Sequence, residues 1–297
     1  MKSNPVLKKL GFSEKDRLLI VHTDDIGMCQ ANVQACQDLW EFGTITSGSV
    51  MVPCPWFPAA VEMQKKNPKM DLGVHLVLTS EWEFYRWRPV STVNAGSGLM
   101  DKQGYFPRTD AEVQEGGNPD SALIELRAQV QRALDFGLDV THLDMHMGAI
   151  AHVKFIPAYL QLINEFQVPP LIPRGDAGLY KSLGMDEMTA EFLAVLTAQL
   201  EEQGTVLVDY ATGLDLNIPE DNIGQTKKLL ADAPTGITHF IIHPSIDSPE
   251  SRAISPDWRG RVANYNTFMS KEIKDFIKNE GFHLIGYRQI REAMRSK

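Results

Sequence analysis

Short aliphatic runs alternate with longer stretches of helical period almost from end to end of the chain. Runs of strand length fall at Leu18–Thr23, Gly48–Val52, Leu72–Leu76, Val140–Asp144, Pro170–Pro173, Val206–Asp209, Ile237–His243 and His283–Tyr287. Between them the periodicity predicts helices near Ala31–Phe42, Pro58–Lys66, Ser121–Phe136, Pro157–Phe166, Asp186–Gln203, Asp221–Ala231 and Ser270–Asn279. Gly43, Gly137, Gly204 and Gly281 stand where such helices should stop. Alternation of this kind builds right-handed βαβ units on a parallel sheet.

Up to eight repeats with no change of composition half-way predict an α/β fold, a closed or nearly closed (β/α) barrel. It would be TIM-barrel-like, with seven to eight parallel strands. No G-x-G-x-x-G follows the first strand, which argues against an open dinucleotide-binding sheet. Without a linker, low-complexity stretch or internal repeat, residues 1–297 read as a single domain. Two connections interrupt the rhythm, 79–119 and 245–266. Both leave the carboxyl ends of strands, and loops this long in a compact domain serve as lids or binding walls, or are disordered.

Composition narrows the partners more than the fold. A net charge of −9 argues against nucleic acid, whose phosphates need a basic face. Cys29, Cys36 and Cys54 form no C-x-x-C pair and are odd in number, which argues against a disulfide framework or a cysteine-based zinc knuckle. The first residues hold no apolar core of signal-peptide length, and no window is apolar for long enough to span a membrane. The expectation is a reduced, cytoplasmic protein.

Candidate chemistry gathers at strand ends. Asp24 and Asp25 follow the first strand in "LLIVHTDDIGM". Two adjacent acids repel each other, and neither follows a buried strand without a partner. His75 ends the third strand, His142, Asp144 and His146 ("THLDMHMG") end the fourth, and His243 ("FIIHPS") ends the seventh. In a (β/α) barrel these ends open onto one face. One aspartate and two histidines would make a three-ligand set that leaves coordination positions open, as a catalytic cation requires. The remaining aspartate could then reach the water that the cation activates. Each residue alone has a structural explanation, and the signal is their coincidence.

The ordered set "TDDIGM", "TITSGSVMV", "LGVHLVLT", "THLDMH" and "HPS" resembles the YdjC-type carbohydrate deacetylases, which include the chitooligosaccharide deacetylases. The resemblance covers Leu18 to about Ser245 and implies a distorted (β/α) barrel. It implies one divalent metal ion, zinc or magnesium, held by Asp25, His75 and His146. Asp24 matches the general base, and His243 is similar to the general acid of polysaccharide deacetylases. His142 and Asp144 would orient the ligands. A departure follows His146, where Met147, Gly148 and Ile150 stand at positions that often carry imidazoles, and His152 is displaced.

The expected reaction is hydrolysis of an N-acetyl group on a small amino sugar or oligosaccharide, releasing acetate. Family relatives also suggest a homodimer. Trp82, Arg86 and Trp87 in "EWEFYRWRP" could stack on sugar rings and grip hydroxyls, or could pack against the barrel. Arg174, after the fifth strand, is a further candidate substrate contact. The alternatives are another metal-dependent hydrolase on the same barrel, cleaving a different amide or a phosphoester, a lyase or isomerase, and a non-catalytic sugar-binding protein.

Overall fold

In the computed structural model, which describes residues 3–296, nine consecutive residues of the first strand, 18–26, are buried. Such continuous burial marks a strand covered on both faces, as parallel sheets require. The strands are β1 (Arg17–Ile26), β2 (Ser47–Val50), β3 (Leu72–Leu76), β4 (Val140–Met145), β5 (Tyr210–Gly213), β6 (Gly236–Ile242) and β7 (His283–Leu284). Among the described residues they form one parallel sheet in the order β4-β3-β2-β1-β6-β5, with β7 paired to the foot of β1 at Leu18 and Leu19. Two single bridges, Leu143 to Pro170 and Pro173 to Val208, carry the ring from β4 to the residues leading into β5. The sheet therefore closes as a distorted α/β barrel.

The seam has a chemical cause. Pro169, Pro170 and Pro173 have no N–H to give to a ladder, so the expected strand Pro170–Pro173 survives only as bridges. Its remaining hydrogen bonds run from the amides of Leu171 to Leu143 and of Arg174 and Val208 across to each other's segment, at 2.9, 2.7 and 3.2 Å.

Four further expectations from sequence are revised. The strand expected at Val206–Asp209 keeps one bridge, at Val208, and the ladder of β5 begins instead at Tyr210. The strand expected at His283–Tyr287 stops at Leu284, and Tyr287 opens a helix, Tyr287–Arg295. The connection 245–266 folds into helices Pro249–Ile254 and Trp258–Phe268. Within 79–119, Asp110–Gly116 is helical, with the Thr109 side chain capping the Glu112 amide.

Side chains of alternate strand residues fill the barrel in layers. Leu18, Ile20 and Ile237 join Val206, Val208 and Ile290 in an aliphatic plug at the foot. Above it lie His22, Ser49, His142 and His239, all fully buried. Above these, at the carboxyl ends, come Asp24, His75 and Asp144, with His243 beside them. Register sets the level: Thr23 pairs with Ile242, so Asp24 faces His243, and His75 pairs with Asp144.

Candidate metal centre

Strict alternation would turn Asp25 away from the barrel interior while Asp24 points into it. The pairing of β1 with β2 is irregular between Thr23 and Ile26, and Asp25 adopts a left-handed backbone with φ of 61°. Aspartate tolerates that conformation better than most residues, and such a bulge re-aims one side chain. Both acids therefore face one cleft.

Asp25 Oδ1 lies 3.4 Å from His75 Nε2 and 3.2 Å from His146 Nδ1. The two imidazole nitrogens are 3.3 Å apart. Each ring donates its other N–H to an acid: His75 Nδ1 to Asp144 at 2.8 Å, and His146 Nε2 to both oxygens of Glu81 at 3.1 Å. That fixes which nitrogen keeps its proton when each ring is neutral, so that a cation displacing the other protons would meet three lone pairs aimed at one point. Asp25 Oδ1 is buried and accepts no hydrogen bond among the described residues. Atoms bound at 2.0–2.1 Å to one tetrahedral cation stand about 3.4 Å apart, so the donor set fits such an ion. Asp25, His75 and His146 form a group that could hold a metal.

Charge balance comes from a residue that the sequence did not disclose. Arg261, buried on the helix Trp258–Phe268, donates from Nη1 to Asp25 Oδ2 at 2.6 Å. Asp257 accepts from its Nε and Nη2, and the Trp82 ring lies 5.5 Å from its guanidinium. Burial pushes the Asp25 carboxyl up, but Arg261 and the two imidazoles outweigh it and hold Asp25 well below the usual range. Burial pulls His75 and His146 down. The charges of Asp144 and Asp24 reverse this for His75, and Glu81 with Asp25 hold His146 up at about 9. The same helix supplies Asn264, whose Oδ1 accepts from the His243 amide at 3.0 Å.

Asp24 sits beside the triad. Its Oδ1 accepts from His22 Nδ1 at 2.7 Å, while Oδ2 lies 3.6 Å from His243 Nε2 and 3.8 Å from His75 Nε2. His142 lies one layer below, bonded to His22 and not to a triad member, and Ser49 holds the second oxygen of Asp144. The structure thus brings together Asp24, Asp25, His75, Asp144, His146 and His243.

Four other expected contacts are engaged elsewhere. Arg86 is spent on Ser80, Asp101 and the Phe106 carbonyl. Trp82 and Trp87 are buried edge to face, and Trp87 donates to the Thr79 carbonyl. They wall the Asp25, His75 and His146 cluster from behind and offer no open ring face. Arg174 is paired with Glu201 and with Asp209, which also binds the Ile237 amide at the foot of β6, the end opposite His243. His152 accepts from the Lys154 amide, and Met147 is exposed.

Glu81 is the second residue missed. Removing its carboxylate frees the His146 ring, so Glu81→Ala should weaken divalent-cation affinity about 10- to 100-fold. Titration with zinc checks this, and unchanged affinity would remove Glu81 from the centre.

An α/β barrel with an Asp-His-His cluster at its carboxyl face defines the class of fold and site. The YdjC-like protein family matches residues 18–279, and the chain belongs to that family. It is 34% identical to a carbohydrate deacetylase of Thermus thermophilus over 97% of this chain and 99% of that protein. It is 22% identical to a carbohydrate deacetylase of Thermoanaerobacter pseudethanolicus over 91% of this chain and 98% of that protein. A solved structure from Enterococcus faecalis, provisionally described as a cellobiose-phosphate cleavage protein, superposes with a TM-score of 0.77 at 21% identity. It covers 93% of this chain and 99% of that one, a likeness of fold.

Proposed function

We propose that this chain is a metal-dependent carbohydrate deacetylase that hydrolyses the N-acetyl group of an amino sugar to acetate and the free amine. The observation that carries the reading is the convergence of Asp25 Oδ1, His75 Nε2 and His146 Nδ1, flanked by a second acid and a third imidazole. Relatives aligned over nearly the whole chain are carbohydrate deacetylases. Two nitrogen donors favour zinc over magnesium, which prefers oxygen and water. Three buried free cysteines suit a reducing cytoplasm, and no helix among the described residues is long and apolar enough to cross a membrane.

Bound at the triad, a divalent cation supplies Lewis acidity to the acyl oxygen and to water. The residues around it handle the protons. Asp24 Oδ2 accepts a proton from the attacking water as its oxygen bonds to the acyl carbon. Burial lowers the His243 imidazole, against the opposing pull of Asp24 and Asp25, so it rests neutral near pH 7. His243 Nε2 then takes that proton from Asp24 and gives it to the nitrogen as the C–N bond breaks. Water's other hydrogen leaves with acetic acid, which ionises in solvent.

The test is acetate release from a panel of N-acetylated mono- and oligosaccharides, using metal-stripped protein with zinc, magnesium or nothing restored. Release is expected with zinc and not with stripped protein. Cation binding without acetate from any substrate would overturn the reaction.

A further inference from the structure

Beneath Asp24 lies a buried polar layer that the reaction above leaves without a task. His22 is fully buried, two residues before Asp24 on the same face of β1. Its Nδ1 stands 2.7 Å from Asp24 Oδ1. A carboxylate has only lone pairs to offer, so Nδ1 carries the proton. The other nitrogen, Nε2, is 2.8 Å from His142 Nε2, and that contact needs one proton between the two rings. His142 Nδ1 continues to Thr141 Oγ1 at 2.9 Å, and Thr141 to Asp71 Oδ1 at 2.5 Å. Asp71 is held in turn by the Arg288 amide and the Ser47 hydroxyl, at 2.6 and 3.2 Å.

The chain is rigid as well as continuous. The His142 ring stacks on Tyr287 with centroids 4.1 Å apart and planes 19° from parallel. A Cβ at residue 73 would lie 2.6 Å from that ring, so only glycine leaves it room. Two proton arrangements satisfy every link. In one, Asp71 is a neutral acid donating to Thr141, which donates to His142, which donates to His22. In the other, His22 is a cation donating at both ends, His142 donates to Thr141 and Thr141 to the Asp71 carboxylate. The proton count is the same. His142 is neutral in both, as its burial beside His22 favours, and burial that pushes Asp71 up favours the first. In both, His22 Nδ1–H stays on Asp24 Oδ1.

We propose that His22, braced from below by His142, Thr141 and Asp71, is a positioning residue that occupies Asp24 Oδ1 permanently and leaves Oδ2 as the only oxygen free to take the proton of water. The proposal rests on the deacetylase reading for its kinetic consequence and on hydrogen-bond geometry for the rest. In the zinc-loaded full-length protein, His22→Leu should lower kcat about 10- to 100-fold, with KM and zinc content unchanged. His22→Asn should recover most of that loss, because its amide N–H replaces Nδ1–H. A leucine variant within twofold of wild type, or an asparagine variant as impaired as leucine, overturns it.

A second measurement needs neither turnover nor the survival of the leucine variant. With 15N-histidine labelling, wild-type His22 should show a protonated Nδ1 with a downfield proton, assigned by its disappearance in His22→Asn. A bare Nδ1 overturns the proposal. If wild type releases no acetate, the reaction assignment falls while the nuclear resonance still decides whether His22 holds Asp24.

Discussion

Asp24→Asn is expected to lower kcat by about 10²- to 10⁴-fold, the range for removing a positioned general base. The substitution keeps the shape of the side chain. Its amide oxygen can still accept from His22 Nδ1, while its nitrogen, placed where Oδ2 was, cannot take a proton. The three converging atoms proposed to hold the cation belong to Asp25, His75 and His146 and are untouched. Zinc content should therefore stay at the wild-type level. Turnover numbers together with metal analysis decide the matter, and activity within tenfold of wild type would exclude Asp24 as the base.

His146→Ala should behave in the opposite way, losing the cation and with it all measurable activity. The substitution removes one of the three proposed ligand atoms and leaves Asp25 and Glu81 as buried or half-buried acids without their shared imidazole. Unpaired buried charge is costly, so the variant should also be less stable. In wild type, a cation at 100 times its Kd adds about 2.7 kcal/mol of stability by mass action. Thermal unfolding with and without zinc should show that gain in wild type and none in the variant. Acidity gives the same centre a sign. Before cation binds, His146 holds its proton up to about pH 9, and His75 is raised well above its ordinary value. Cation must displace those protons, so apparent affinity should rise with pH until His146 has titrated. Calorimetry in buffers of different ionisation enthalpy would read the protons released; none released at pH 7 would contradict the raised imidazoles.

How much of this was written in the chain depends on what kind of signal each residue sends. Asp24, Asp25, His75, Asp144, His146 and His243 all follow aliphatic runs, so their strand ends could be placed by pattern alone. His22 and His239 obeyed the same pattern: counting back in twos from Asp24 and His243 puts both inside the barrel, a step available from sequence. Arg261 was harder. Its helix buries Gly260, Arg261, Asn264 and Thr267, with Phe268 the sole large apolar residue of its buried face. A helix that buries polar groups against a charged centre shows no hydrophobic period, so the stretch reads as loop. The Asp257 to Arg261 spacing was its one local clue. Glu81 reaches His146 from a long connection whose path no pattern fixes. Trp82, Arg86 and Trp87 left two readings open for the reverse reason, since aromatic and cationic composition does not say which way a ring faces or whether a guanidinium is already satisfied.

The proline seam is more than a flaw in a ring. The metal-site strand ends belong to one unbroken arc, β6-β1-β2-β3-β4, and the join from Pro170 to Val208 contributes none of them. The barrel is a rolled sheet whose two margins meet at single bridges, and one of those margins is β4 itself, because Leu143, the residue before Asp144, bridges to Pro170. The seam is therefore a neighbour of the site: a change in the backbone path at Pro170 would be felt at Asp144 and, through its hydrogen bond, at the ring of His75.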